Sequence, residues 1–197
     1  MIRWPGASIR LAGRRVVLEP LREEHAGELW LAAQDPRIWQ WLPEDASASP
    51  SAFGKWFGRA SDALRLGEEA PFAVRAEGAV VGSTRFMSLE RAHLRLEVGY
   101  TWYAPSVWGT GVNAEAKLLL LRHAFETLGA RRVEFKTDAR NERSCGALVA
   151  LGAQFEGVFR KHMVLPGGAA RDSAYYSVVD DEWPAVRARL EERLARY

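Results

Sequence analysis

Residues 105–116 read PSVWGTGVNAEA. Before them, residues 94–102 alternate like a strand: Leu94, Leu96, Val98, Tyr100 and Trp102 are apolar, and Arg95, Glu97, Gly99 and Thr101 face the other way. After them, residues 114–128 carry Leu118, Leu121, Phe125 and Leu128 in one helical stripe, with Gly129 as a stop. A strand therefore ends, a Gly-x-Gly loop follows, and a long helix opens. Glycines at 109 and 111 remove Cβ atoms, so backbone N–H groups can converge on an anion. The helix N-terminus adds its partial positive charge, and the whole suits a pyrophosphate. The loop is not a Walker loop, because no Gly-Lys-Ser/Thr follows. It is not GxGxxG either, because Ala114 replaces the third glycine. Read alone, the two glycines equally suit a turn tightened for packing.

Working upstream, residues 71–76 and 80–89 read as strands around a Glu77-Gly78 hairpin turn. Before them, Ser49 and Pro50 start a helix that carries Phe53, Trp56, Phe57, Ala60 and Leu64 and stops at Gly67. Residues 43–50 form a loop, 23–34 a helix and 14–21 a first strand. Working downstream, 132–137 is a strand, and Asn141 caps a helix running to Leu151 and Gly152. Residues 154–162 and 174–179 are strands around a Pro166-Gly167-Gly168 turn. Asp180 or Asp181 caps a last helix, about 182–196, with Pro184 in its first turn and Trp183, Val186, Leu190 and Leu194 in its stripe. The order is mixed α/β without regular βαβα alternation, which argues against a Rossmann fold or a TIM barrel.

The 197 residues fit a single domain, 1–197, with a core of about 14–180. At 48% hydrophobic and 26% charged residues, the chain is expected to be an ordinary folded globule. A net charge of +2 gives no nucleic-acid signature. One cysteine, Cys145, excludes an internal disulfide and a Cys-based zinc cluster. No HExxH or spaced His/Asp/Glu cluster points to a metal, so none is expected. The first residues lack the apolar run of a signal peptide, and the longest run of large apolar residues, 118–121, is far too short to cross a membrane. A cytoplasmic protein without membrane partners is expected.

Four separated pieces together resemble the GNAT superfamily of acyl-CoA-dependent N-acyltransferases, in its RimJ/RimL-like branch. The pyrophosphate loop is similar to Ser106-Val107-Trp108-Gly109-Thr110-Gly111, with Ser106 in place of the family's Gln/Arg. The Glu-x-Gly-Tyr strand is matched by Glu97-Val98-Gly99-Tyr100, and the Asn-x-x-Ser helix start by Asn141-Glu142-Arg143-Ser144. Leu151-Gly152-Ala153-Gln154-Phe155 resembles the terminal hydrophobic-Gly-aromatic pattern. The pieces occur in family order over roughly residues 14–180.

The resemblance implies a mostly antiparallel sheet, splayed between its fourth and fifth strands and flanked by helices. It implies acetyl-CoA as co-substrate, with pyrophosphate on Trp108, Gly109, Thr110, Gly111, Val112 and Asn113. Pantetheine would pair with the backbone of Tyr100, Thr101, Trp102 and Tyr103 and take the side-chain amide of Asn141. It implies a primary-amine acceptor, such as a protein N-terminus, a peptide or a small amine, and relatives make a homodimer plausible. Glu97 is the candidate base, acting through water; otherwise it is a structural carboxylate paired with an arginine such as Arg95 or Arg143. Ser144 is the candidate acid for the leaving thiolate, or else supports the helix start. RimL-like enzymes have been thought to use a sixth-strand glutamate as base; that position is Met163 here, which cannot accept a proton. His162 is a substitute candidate, whereas His25, His93 and His123 read as surface or helix residues. Asp172 either attracts a cationic amine or fixes its turn. Trp30, Trp39, Trp41 and Trp56 line an acceptor pocket or simply pack, and packing is the better reading for Trp56. A non-catalytic acyl-CoA-binding protein and a succinyl-CoA-dependent enzyme are the alternatives.

Overall fold

The computed structural model describes residues 9–165 and 167–197. Eight strands form one sheet: β1 (Leu11–Ala12), β2 (Val16–Pro20), β3 (Ala70–Ala76), β4 (Ala79–Glu90), β5 (Arg95–Tyr103), β6 (Arg132–Asp138), β7 (Gln154–Val164) and β8 (Ala170–Val179). Their order across the sheet is β1-β2-β3-β4-β5-β6-β8-β7. Every neighbouring pair is antiparallel except β5 with β6. The helices are α1 (Ala26–Ala32), α2 (Pro50–Leu66), α3 (Val112–Arg122), α4 (Glu142–Leu151) and α5 (Trp183–Leu194).

The sheet separates two apolar clusters. On one face Leu96, Val98, Phe135 and Tyr176 meet Leu118, Leu121, Leu148 and Leu190 of α3, α4 and α5. On the other, Trp39, Phe53, Trp56 and Phe57 close over Trp102. The rings of Trp39, Trp56 and Trp102 lie 5.3 to 5.9 Å apart. Trp39 and Trp56 are therefore packing residues.

Local signals set most boundaries. Ser49 accepts from the Ala52 N–H at 3.1 Å with Pro50 first in the helix, and Gly67 ends α2 with φ of 71°. Asn141 caps α4 by accepting from the Ser144 N–H at 3.1 Å. Glu77 and Gly78, with φ of 51° and 84°, make the β3–β4 turn.

Five expectations are corrected. The first strand is shorter and pairs with a two-residue β1. The helix expected over 23–34 is a 3₁₀ turn, Glu23–His25, followed by α1, because the His25 ring accepts from the Arg22 N–H at 3.1 Å and draws the chain into a tighter start. The helix expected over 114–128 gives way to a π turn at His123–Thr127, where Phe125 stacks on Trp183 at 5.5 Å. Neither Asp180 nor Asp181 caps α5: Asp180 pairs with Arg131 at 3.2 Å, and Glu182 accepts from the Val179 N–H at 3.0 Å. Pro166 lies outside the described residues, while Gly167 and Gly168 have φ of 88° and 85°.

The fifth correction matters most. Strict alternation through 94–102 fails, because Tyr100 adopts φ of 47° and the β4 register shifts from Ser83↔Trp102 to Arg85↔Gly99. Two β5 residues thus face one on β4, a β-bulge. Leu96 and Val98 point to the α3 face, whereas Trp102 lies among the tryptophans of the opposite face. Gly82 permits this, since a Cβ there would run into the Trp102 carbonyl and approach Tyr103 Cα at 2.9 Å.

Candidate active site

β5 and β6 pair in parallel only at Arg95↔Arg132, Leu96↔Val133 and Glu97↔Glu134. Beyond Glu97 they part, and residues 98–103 have no strand partner on that edge. The gap opens into a cleft of about 550 Å³. Its two ends are built differently.

At one end lies the glycine loop. Gly109 and Gly111 have φ of 79° and 87°, conformations that side-chain-bearing residues avoid. Gly111 immediately precedes α3, so the unpaired N–H groups of the first helical turn face the loop. The Trp108 indole N–H donates to the Tyr103 carbonyl at 2.9 Å, which fixes the loop against the end of β5. The Arg143 guanidinium lies 3.9 Å from the Trp108 ring centroid. Burial, then the nearby Arg37, lowers the Arg143 pKa. Tyr100, Thr101, Trp102, Tyr103, Trp108, Gly109, Gly111, Asn113, Asn141 and Ser144 all line the cleft. Thr110 and Val112 do not: the Thr110 hydroxyl donates to the Val107 carbonyl at 2.8 Å, and Val112 is buried in the core. Val112 could meet a ligand only through its backbone, whereas Thr110 is exposed. The positive-φ glycines, the helix start and an unpaired strand edge fit a pyrophosphate continued by an amide-bearing arm.

At the other end, Glu97 is 4% exposed. Its carboxylate accepts from Ser88 Oγ at 3.2 Å and Lys136 Nζ at 3.4 Å. It pairs with neither arginine anticipated from sequence: Arg95 holds Glu134 at 3.0 Å, and Arg143 lies on Trp108. Met163 lines the cleft beside Glu97, Lys136 and Arg171. His162 is outside it. The ring bonds Ser173 Oγ at 3.1 Å and the Tyr175 hydroxyl at 3.3 Å, and burial followed by Lys136 and Arg171 lowers its pKa. Asp172 lies within β8 and not at the turn expected from sequence: its carboxylate accepts from the Lys161 N–H at 2.6 Å across the irregular stretch of β7. Trp41 lines the cleft and carries Arg140 at 5.3 Å from its ring.

Sequence reasoning missed four basic residues of the cleft: Lys117, Lys136, Arg171 and Arg193. Lys117 is on α3 with its ammonium 2.9 Å from Thr101 Oγ1, and burial pushes its pKa down to about 7. Its signal was visible as a lone lysine amid the leucines of α3. Among the described residues no group of three or more His, Cys, Asp or Glu could hold a metal ion, and no helix is long and apolar enough to cross a membrane.

A parted pair of strands joining a glycine loop at a helix start to a buried carboxylate fits the class of acyltransferases. Residues 15–154 match the family model for the acetyltransferase (GNAT) domain, and the chain belongs to that family. It is 32% identical to a GCN5-related N-acetyltransferase from Brucella melitensis, with a TM-score of 0.90 over 98% of this chain and 88% of that one. Among curated proteins it is 28% identical over 173 residues to YdaF of Bacillus subtilis, which bears the provisional name ribosomal N-acetyltransferase; 85% of this chain and 91% of YdaF align. It is 32% identical to the N-acetyltransferase YoaA of the same organism, over 51% of this chain; that match spans about half of YoaA, 55%. The likeness to YdaF is consistent with the RimJ/RimL-like branch that the four motif pieces resemble.

Proposed function

We propose that the protein transfers the acetyl group of acetyl-CoA to a primary amine by direct attack within a ternary complex. The parting of β5 from β6 beyond Glu97 carries this reading, since it links the glycine loop to a buried carboxylate through one channel. The thioester supplies an activated acyl carbon. The first-turn N–H groups after Gly111, with the backbone of Trp108, Gly109, Thr110, Val112 and Asn113, hold the pyrophosphate. The open edge of Tyr100, Thr101, Trp102 and Tyr103 receives the pantetheine amides. Asn141 spends its side-chain oxygen on the α4 cap and keeps its NH₂ for the same arm.

Glu97 removes a proton from the ammonium through water. Lys136 Nζ holds the carboxylate in place at 3.4 Å. The amine then attacks the carbonyl carbon, a backbone N–H at the Tyr100 bulge stabilises the oxyanion, and the C–S bond breaks. Ser144 passes its hydroxyl proton to the departing sulfur and takes up the second proton that the attacking nitrogen sheds. Holding both substrates in one cleft supplies much of the rate. The donor and the single thiol of Cys145 suit a reducing, cytoplasmic setting.

Met163, in the cleft where relatives are thought to keep a base, favours a second reading: an acyl-CoA-binding protein without turnover. Calorimetric titration with acetyl-CoA, followed by thiol release over a panel of amines, separates the two. Binding with turnover supports the transferase, binding alone the second reading. No binding at millimolar acetyl-CoA overturns both.

A further inference from the structure

Arg171 lies on β8, with its Cα directly paired to Met163 on the neighbouring strand. It is 4% exposed and lines the cleft with Glu97, Tyr100 and Lys136. Among the described residues its side chain makes one hydrogen bond, a long one from Nη1 to the Trp41 carbonyl at 3.4 Å, and its buried Nε has no partner. Among the described residues no carboxylate approaches its guanidinium within 4.0 Å. The carboxylates near it are engaged elsewhere. Asp138 accepts from the N–H, Nε and Nη2 of Arg140 at 2.9, 3.0 and 2.9 Å. Glu97 is held by Lys136, and Asp172 by the Lys161 N–H.

A buried guanidinium without an ion pair is costly, and its planar fork matches a carboxylate through two parallel hydrogen bonds. Lys136 pairs with Glu97 and Arg140 with Asp138, so Arg171, which feels both carboxylates only at a distance, leaves this end of the cleft with one positive charge in excess. Trp41 and Met163, both half-buried, line the cleft beside it and lower the local polarity.

We propose that Arg171 is the carboxylate-binding residue of the acyl-transfer end of the cleft, and that a substrate bound there carries a carboxylate close to the reacting groups. The proposal rests on the acyltransferase reading. The carboxylate has two chemical sources: the acceptor, as in an amino acid or the C-terminus of a short peptide, or the acyl group of a dicarboxylic donor. The pocket supplies one guanidinium for either.

The experiment has a donor arm and an acceptor arm, each run on wild type, Arg171→Gln and Arg171→Lys. In the donor arm, calorimetry compares succinyl-CoA with acetyl-CoA. In the acceptor arm, the CoA-saturated protein is titrated with leucine against leucinamide and dialanine against dialanine amide. One arm is expected to favour the carboxylate by about tenfold or more, on the scale of a charged hydrogen bond. Arg171→Gln removes that preference and Arg171→Lys keeps part of it, while acetyl-CoA affinity stays at the wild-type value in all three. A merely structural Arg171, tethering Trp41, would lower stability without moving the ratio of carboxylate to neutral partner. No carboxylate preference in either arm, or a preference that survives Arg171→Gln, overturns the proposal while acetyl-CoA binding still upholds the transferase. Failure of wild type to bind either acetyl-CoA or succinyl-CoA overturns the underlying acyltransferase reading and the proposal with it.

Discussion

The two ends of the cleft are made in different ways. The glycine-loop end comes from one continuous stretch: the end of β5, the loop and the first turn of α3, with Asn141 and Ser144 added from one further motif. The opposite end is assembled from remote segments, with Trp41, Glu97, Lys136, Met163 and Arg171 brought together by the sheet. Backbone donors dominate the first, and buried charges on side chains dominate the second. A site made of backbone tolerates sequence change around its glycines. A site made of side chains can be retuned one residue at a time, which lets one fold serve many acceptors.

The sharpest way to break this division is to strike each end alone. Glu97→Gln is expected to lower kcat by about 10²–10⁴, the range for a lost general base, and to leave acetyl-CoA affinity unchanged. Calorimetry beside steady-state kinetics measures both. Gly109→Glu forces a charged side chain into φ of 79° beside the pyrophosphate. Acyl-CoA affinity should fall about 100-fold, as roughly 3 kcal/mol of strain and repulsion requires. If either variant changes both quantities together, the ends are not separable.

Three smaller effects concern what joins the ends. Gly82→Ala should destabilise the fold by about 1–3 kcal/mol in urea unfolding, because the new Cβ collides with the bulged strand. Lys117→Met tests the channel floor. The Lys117 pKa lies near 7 in the fold, below its ordinary 10.5, so between those values the unfolded chain binds more protons. Relative to Lys117→Met, wild-type stability should climb from pH 7 to pH 10 by up to about 1.4 kcal/mol per unit and run parallel below pH 7. Equal slopes across that window would refute a buried, uncompensated lysine. Asn141→Ala should cost about 1 kcal/mol of stability through its lost cap, read from thermal melts.

Sequence made the glycine-loop end legible because its geometry is local. Glycines, a capping asparagine and a helical stripe are each set by neighbours within a few residues. The element order was legible for the same reason. The bulge was not, since Tyr100 in a strand looks like any alternating apolar residue. Its one trace is Gly82, seventeen or more residues away on the partner strand. Arg171 stands in an Arg-Asp-Ser run with no local sign of burial, and Trp41, whose carbonyl it meets, lies 130 residues earlier. Glu115 was missed likewise: it is buried, and its carboxylate accepts from the backbone N–H groups of Arg14 and Arg15, tying α3 to the β1–β2 turn. Charge alone does not reveal burial; the partner that buries it is encoded elsewhere.

The unpaired edge of β5 has an energetic consequence. Amide groups over residues 98–103 face a gap instead of a neighbour, so the sheet carries an unfinished ladder through its middle. A ligand that bonds to this edge acts as a ninth strand, and its affinity becomes part of the folding free energy. At 100 times the dissociation constant that linkage adds about 2.7 kcal/mol. The melting temperature should therefore track the supply of acyl-CoA.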